Sequence, residues 1–278
     1  MNDKPSRCGI WRVWSMVATV LLAGSVGLIG WQWGRKQPAG PAFGQSLNGL
    51  PASAPARTTF RVATYNIHSA KGADGKTDLG RIAENLRGAD LAGLNEVRGE
   101  AMVSQLGKNL SMQWLFCPSE RQFGSDYFGN GLLCRLPVIS WQRLPLPRPP
   151  ESNATFQSAL LLRFKHQDRP VNLLLAHVTL RAYRQEQLQC LADLFLSLEP
   201  PAILIGDMNT TQDDPVLSAL LHTPGVTAAT AATPTGPEHR IDWIITRGLD
   251  VAGKGFVERG ASDHPLVWAD LEIAKDKR

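Results

Sequence analysis

Cysteine is scarce in this 278-residue chain, and Cys8, Cys117, Cys134 and Cys190 form neither a Cys-x-x-Cys pair nor any metal-ligand spacing. That excludes a thiolate metal centre and leaves the cysteines as small buried hydrophobes. One disulfide among Cys117, Cys134 and Cys190 stays open in an oxidising compartment. Long runs of like charge are missing too. The 29 Lys and Arg against 25 Asp and Glu give a net charge of +4 and a pI near 9.0, with no five like charges together. Such a balance permits a phosphate-bearing substrate without requiring one. The lack of a basic, aromatic-interleaved stretch argues against a dedicated DNA enzyme. No internal repeat is visible, which sets solenoids aside.

Charge is wholly absent from Val13 to Trp33, VWSMVATVLLAGSVGLIGWQW. About twenty apolar residues are enough to cross a bilayer core. Trp11, Trp14, Trp31 and Trp33 cluster at its two ends as interfacial aromatics do, with Lys4, Arg7 and Arg12 before it and Arg35 and Lys36 after it. The segment 1–36 therefore reads as an uncleaved membrane anchor, with a cleavable signal peptide as the alternative. Both place the remainder outside the cytoplasm, periplasmic or extracellular. Residues 37–59, carrying Pro38, Pro41, Pro51 and Pro55 among Gly, Ala and Ser, read as an extended linker. One globular domain over 60–273 and a charged tail over 274–278 complete the chain.

Within that domain, FRVATYN, LGRIAENLRG, ADLAGLNE and a helical stretch around Ala101 to Leu110 alternate as an α/β protein does. GLLCRL, PVISWQRL, SALLLRF and VNLLLAHV follow as antiparallel-looking strands. Arg181 to Leu198 carries Leu188, Leu191, Ala192, Leu194, Phe195 and Leu198 at helical spacing. PAILIGD, HRIDWIIT and HPLVWADL supply the remaining strands. Packed sheets flanked by helices follow from this order.

Polar residues recur where the apolar runs end: Asn66, Glu96, Asn130, His177, Asp207 with Asn209, Asp242, and Asp263 with His264. A lone Gly-Asp-Met-Asn is most simply an Asx turn capping a helix, but its recurrence in this company is not turn chemistry. Hydrolysis of a phosphodiester needs charge neutralisation on the phosphoryl oxygens, a positioned base and help for the leaving oxygen. Hard oxygen donors suit Mg²⁺, or Mn²⁺ or Ca²⁺ in its place. Glu96, after the apolar Leu91-Ala92-Gly93-Leu94, is the best metal ligand, with Asn66 offering a neutral oxygen beside it. His264 next to Asp263 suits either a general base or a cationic phosphate clamp. Asn130 between Gly129 and Gly131 also fits a simple turn.

In this order the residues resemble the endonuclease/exonuclease/phosphatase superfamily, whose members include deoxyribonuclease I, apurinic endonucleases, neutral sphingomyelinases and inositol polyphosphate 5-phosphatases. The resemblance covers about Phe60 to Leu271. It implies a deoxyribonuclease I-like four-layer α/β/β/α sandwich of two packed mixed sheets, with the site at one end and a divalent ion. It further implies that Asp207 and Asn209 orient the attacking water and bind phosphate. Asp242 orients a catalytic His, His177 assists the leaving group, Asn130 lines the phosphate pocket, and Asp263 completes the metal network. Asn95 departs from the pattern, where Gln is frequent. The expected activity is a metal-dependent phosphodiesterase acting on nucleic acid or a phospholipid head group. The alternatives are an inositol-phosphatase-type monoesterase and a non-catalytic membrane-anchored binding module. Partners are then the phosphoester substrate and the membrane, with the chain a monomer and no obligate protein partner.

Overall fold

The computed structural model describes residues 42–49, 57–121, 126–148, 156–180, 183–230 and 240–274. Two mixed sheets pack face to face with helices outside, the sandwich expected. The six-stranded sheet runs β12-β13-β2-β3-β5-β4. Its strands are β2 (Thr59–Asn66), β3 (Leu91–Arg98), β4 (Gln113–Arg121), β5 (Tyr127–Cys134), β12 (Leu249–Val257) and β13 (Leu266–Ile273). The seven-stranded sheet runs β1-β6-β7-β8-β9-β11-β10. It contains β1 (Phe43–Gly44), β6 (Val138–Pro145), β7 (Ser158–His166), β8 (Arg169–His177), β9 (Ala202–Asp207), β10 (Val226–Ala228) and β11 (Asp242–Arg247).

Each sheet holds one parallel pair, β2 with β3 and β8 with β9. A parallel pair needs a crossover, supplied by helix α1 (Leu79–Asn85) in the first and α3 (Arg184–Ser197) in the second. Helices α2 (Glu100–Leu110) and α4 (Pro215–Leu221) join the same outer layers. The start of α1 is fixed by Asp78, whose carboxylate accepts from the Gly80 and Arg81 N–H groups. Asp214 caps α4 in the same way, with Pro215 at the first helical position.

Three apolar cores hold the layers. Phe60, Val62, Leu91 and Leu132 of one sheet meet Leu173, Leu175, Ile203, Ile205 and Ile244 of the other. Ala92, Leu94, Leu133, Ile82 and Leu106 pack one sheet on α1 and α2, while Leu174, Leu204, Trp243, Leu191 and Phe195 pack the other on α3. Each fully buried Leu, Ile, Val or Phe contributes about 1.5–3 kcal/mol. The sheets approach closely at Gly93, where a Cβ would lie 2.6 Å from Ile205 Cδ1 and 2.7 Å from Leu175 Cδ1.

Strand parity then dictates where the site lies. Side chains alternate faces, so Phe60-Val62 carries Asn66 inward, Val171-Leu173-Leu175 carries His177, and Ile203-Ile205 carries Asp207. Ile244 likewise carries Asp242, and Leu132 carries Asn130. Asn66, His177 and Asp207 stand at the C-terminal ends of parallel strands. β11 and β13 run antiparallel to their neighbours, so their starts reach that same end, with Asp242 opposite Asp207 in register.

Two sequence expectations change here. Part of the segment read as linker belongs to the sandwich: Phe43 and Gly44 pair with β6, Leu47 is buried, and Asn48 bridges Trp114. One core residue in eight is too weak a pattern to reveal this from composition. GLLCRL and PVISWQRL lie in different sheets rather than side by side. Cys117, Cys134 and Cys190 are free thiols, and burial pushes the first two up to about 12. Among the described residues no helix is long and apolar enough to cross a membrane, and the apolar segment Val13 to Trp33 lies outside them.

Candidate active site

Asn66, Glu96, Asp207 and His264 meet around one amide. Asn66 Nδ2 donates to Glu96 Oε1 at 3.1 Å and to Asp207 Oδ2 at 3.0 Å, and lies 3.4 Å from His264 Nε2. Its Oδ1 accepts from the His68 N–H at 3.1 Å. The amide therefore presents its nitrogen to Glu96, which corrects the expectation of a neutral oxygen beside that carboxylate. Glu96 itself sits in an irregularity between β3 and β5 with φ +58, which turns its side chain off the strand's alternation.

His264 is held from both sides. Its Nδ1 lies 2.8 Å from Asp242 Oδ2, and its Nε2 is 3.8 Å from Asp207 Oδ2. Burial works against an imidazolium here, but the hydrogen bond and charge of Asp242, with the charges of Asp207 and Asp263, outweigh it. The result pushes His264 up to about 9. Burial and the neighbouring Asp207 push Asp242 up to about 6. The hydrogen bond and charge of Asp242 thus favour the imidazolium form of His264. The His264 loop is fastened by Ser262, whose Oγ donates to the Asn66 carbonyl at 2.7 Å and accepts from the His264 N–H at 3.3 Å.

On the other sheet, Asp207 Oδ1 accepts from the Asn209 N–H at 2.9 Å. Asn209, at φ +48, gives Nδ2 to the Val178 carbonyl at 2.7 Å and places it 3.2 Å from His177 Nε2. His177 Nε2 also lies 3.7 Å from Asp207 Oδ2. Gly206 before this carboxylate is obligatory: φ is +134, and a Cβ would lie 1.8 Å from the Ala176 carbonyl oxygen.

Two expected residues lie elsewhere. Asn130 does not line a phosphate pocket. It is buried, its Oδ1 accepts from Asn95 at 2.8 Å and its Nδ2 donates to the Ser158 carbonyl at 2.8 Å, so both ends of the amide are spent inside. Asp263 turns outward, 56% exposed, to within 3.3 Å of His68 Nδ1, while Ser262 Oγ accepts from the N–H of His264. Two residues absent from the expected set take part. Asn95 donates to Asn130 and to the Ala176 carbonyl at 3.0 Å, and accepts from the Asp207 N–H at 2.9 Å. His68 stands on the rim. Inward parity after Leu91 and Gly93 marks Asn95 in the sequence; no pattern marks His68.

The fit of these groups to a divalent cation rests on the donor set. Asp207 and Asp242 offer carboxylate oxygens within 4.8 Å of each other, and Asp242 Oδ1 is buried without a hydrogen-bond partner. Among the described residues Glu96 is held through the Asn66 amide alone, and it opens on a cleft of ≈ 580 Å³. Hard oxygens in this number fit a cation of the Mg²⁺ type.

Acids, amides and imidazoles gathered at one end of a four-layer sandwich define a hydrolase of the phosphoesterase type. The model of the Endonuclease/Exonuclease/phosphatase family matches residues 63–264, and the chain belongs to that family. Solved structures share the fold. An endonuclease/exonuclease/phosphatase from Beutenbergia cavernae is 22% identical with a TM-score of 0.65, covering 78% of this chain and 72% of that one. Zebrafish (D. rerio) TDP2, complexed with single-strand DNA product, is 16% identical with a TM-score of 0.61, covering 78% and 100%. ANGEL2, a 2′,3′-cyclic phosphatase, is 12% identical with a TM-score of 0.60, covering 78% and 96%. No curated protein matches the chain.

Proposed function

We propose that this chain is a divalent-metal-dependent phosphodiesterase that directs water onto a phosphodiester. The observation that carries the reading is the chain of contacts from Asp242 through His264 to Asp207, with the Asn66 amide between Asp207 and Glu96. Glu96 would hold the ion, since it is the carboxylate of this group that opens on the cleft. When bound, the ion supplies charge neutralisation at the phosphoryl oxygens. Asp207 accepts the proton of the attacking water, fixed for that task by the Asn95 and Asn209 hydrogen bonds. The His264 imidazolium stabilises charge that develops on the phosphoryl group, and Asp242 sets its orientation and keeps it protonated. To His177 we assign the leaving oxygen, which needs a proton or a hydrogen bond as its bond to phosphorus breaks.

The DNA product held by TDP2 supports nucleic acid as one substrate class for the fold. The apolar segment Val13 to Trp33 supports an anchored domain acting outside the cytoplasm. The test is hydrolysis of bis-para-nitrophenyl phosphate with and without EDTA. Catalysis abolished by chelation and restored by Mg²⁺ or Mn²⁺ supports the reading. Inactivity with every divalent ion tried refutes it and leaves the monoesterase and the non-catalytic module.

A further inference from the structure

The cleft beside Glu96 is lined by residues other than Asp207, Asp242 and His264. One wall is formed by His68, Ser69, Lys71 and Thr77, and the other carries Arg98, Met102 and Phe128. Three of the lining residues that are not glycine lie in the left-handed region: His68 and Ser69 at φ +46 and +54, and Glu96 at φ +58. Strain of this kind persists where the surroundings impose it, and it clusters at binding sites. Lys71 and Arg98 line the cleft as cations, and among the described residues neither has a carboxylate partner. Arg81 on the following helix, in contrast, is held by Asp74 and Asp78. Arg98 and Phe128 are directly opposite in the β3–β5 register, so their side chains emerge on one face. Phe128 is half-buried and, among the described residues, packs against none of the three cores.

An uncompensated guanidinium beside an unused aromatic face, next to a phosphodiester centre, matches a nucleotide's phosphate and base. A cationic choline head group would meet Lys71 and Arg98 as like charges, and an inositol ring has no flat π face for Phe128. We propose that this cleft is a second subsite, in which Lys71 and Arg98 hold the phosphate adjacent to the scissile one and Phe128 stacks its base. The substrate is then a single-stranded nucleic acid. The proposal rests on the phosphodiesterase reading and goes beyond it in naming the substrate and the residues that select it.

The experiment compares the full-length protein on three probes: bis-para-nitrophenyl phosphate, dithymidine monophosphate with one diester, and trithymidine diphosphate with two. Wild type should gain at least about tenfold in kcat/KM from one nucleotide diester to two. Lys71→Ala/Arg98→Ala should lose that gain, and its rate on longer single strands should depend less on salt, by roughly 0.7 in log-log slope per cation removed. Phe128→Ala should lower the trinucleotide rate about tenfold relative to bis-para-nitrophenyl phosphate. Arg98→Lys, which keeps the charge with Lys71 intact, should retain most of the gain and separates charge loss from misfolding. A wild type that hydrolyses the small diester but gains nothing from the second phosphate overturns the subsite, as does a gain that survives both alanines. A wild type inactive on all three probes instead overturns the phosphodiesterase reading beneath it.

Discussion

Replacing Asp242 by Asn isolates what holds the His264 proton. The carboxylate is buried, with Oδ2 2.8 Å from His264 Nδ1, and the amide keeps its shape while removing its charge. Raising a histidine from its ordinary value of about 6.5 to about 9 corresponds to roughly 3 kcal/mol favouring the imidazolium. Asp242 supplies the hydrogen bond and the foremost charge, while Asp207 and Asp263 supply the rest. Without it the His264 pKa should fall by at least about 1, into the range of about 7 to 8. The sign follows from the clamp role: activity is present while the imidazole is protonated and is lost as pH rises through its pKa. Wild-type kcat/KM on bis-para-nitrophenyl phosphate should therefore fall above about pH 9, and the variant's fall should begin at least about one pH lower. Near pH 7 the variant should also lose about ten- to a hundredfold, because the amide orients the ring less firmly. NMR titration of the imidazole measures the pKa without reference to rate. An alkaline limb that stays in place in the variant, with an unmoved imidazole titration, refutes the clamp.

Glu96→Gln should lower kcat at least about a hundredfold and raise the Mg²⁺ concentration for half-maximal activity more than about tenfold, measured by metal titration of the rate. Asn95→Leu removes a partner from the Asp207 N–H, the Ala176 carbonyl and the Asn130 amide oxygen, so urea denaturation should show a loss of roughly 3–6 kcal/mol. Gly206→Ala drives a Cβ into the Ala176 carbonyl and should cost more than about 3 kcal/mol in the same assay. Gly225→Ala, at φ +82 with nothing within 4 Å, should cost only about 1 kcal/mol.

Alternation and apolar runs made most strands legible, because the inter-sheet face of each is an unbroken series such as Val171-Leu173-Leu175. β4 and β12 were not, since QWLFCPSER and LDVAGKGFV mix polar, glycine and proline residues as edge strands do. In the site, Asn66, His177, Asp207 and Asp242 were legible because each ends such a series on the inward parity. Glu96 was legible only as a charge after apolar residues, its irregular backbone leaving no trace in the sequence. Asn130 and Asp263 were misplaced for opposite reasons. Parity puts Asn130 inward but does not say how far from the strand end it lies, and adjacency to His264 says nothing of which way a loop carboxylate turns.

The contacts at Asn66, Asn95 and His264 also fix something about the molecule as a machine. Asn66, Glu96 and His264 come from the six-stranded sheet, while His177, Asp207, Asn209 and Asp242 come from the seven-stranded one. Neither half carries a reactive centre alone, and every crossing hydrogen bond spans the seam between them. Turnover is thus a built-in gauge of how the two halves mate. A substitution deep in the seam, such as Gly93→Ala against Ile205 and Leu175, should register as lost rate even where the protein remains folded.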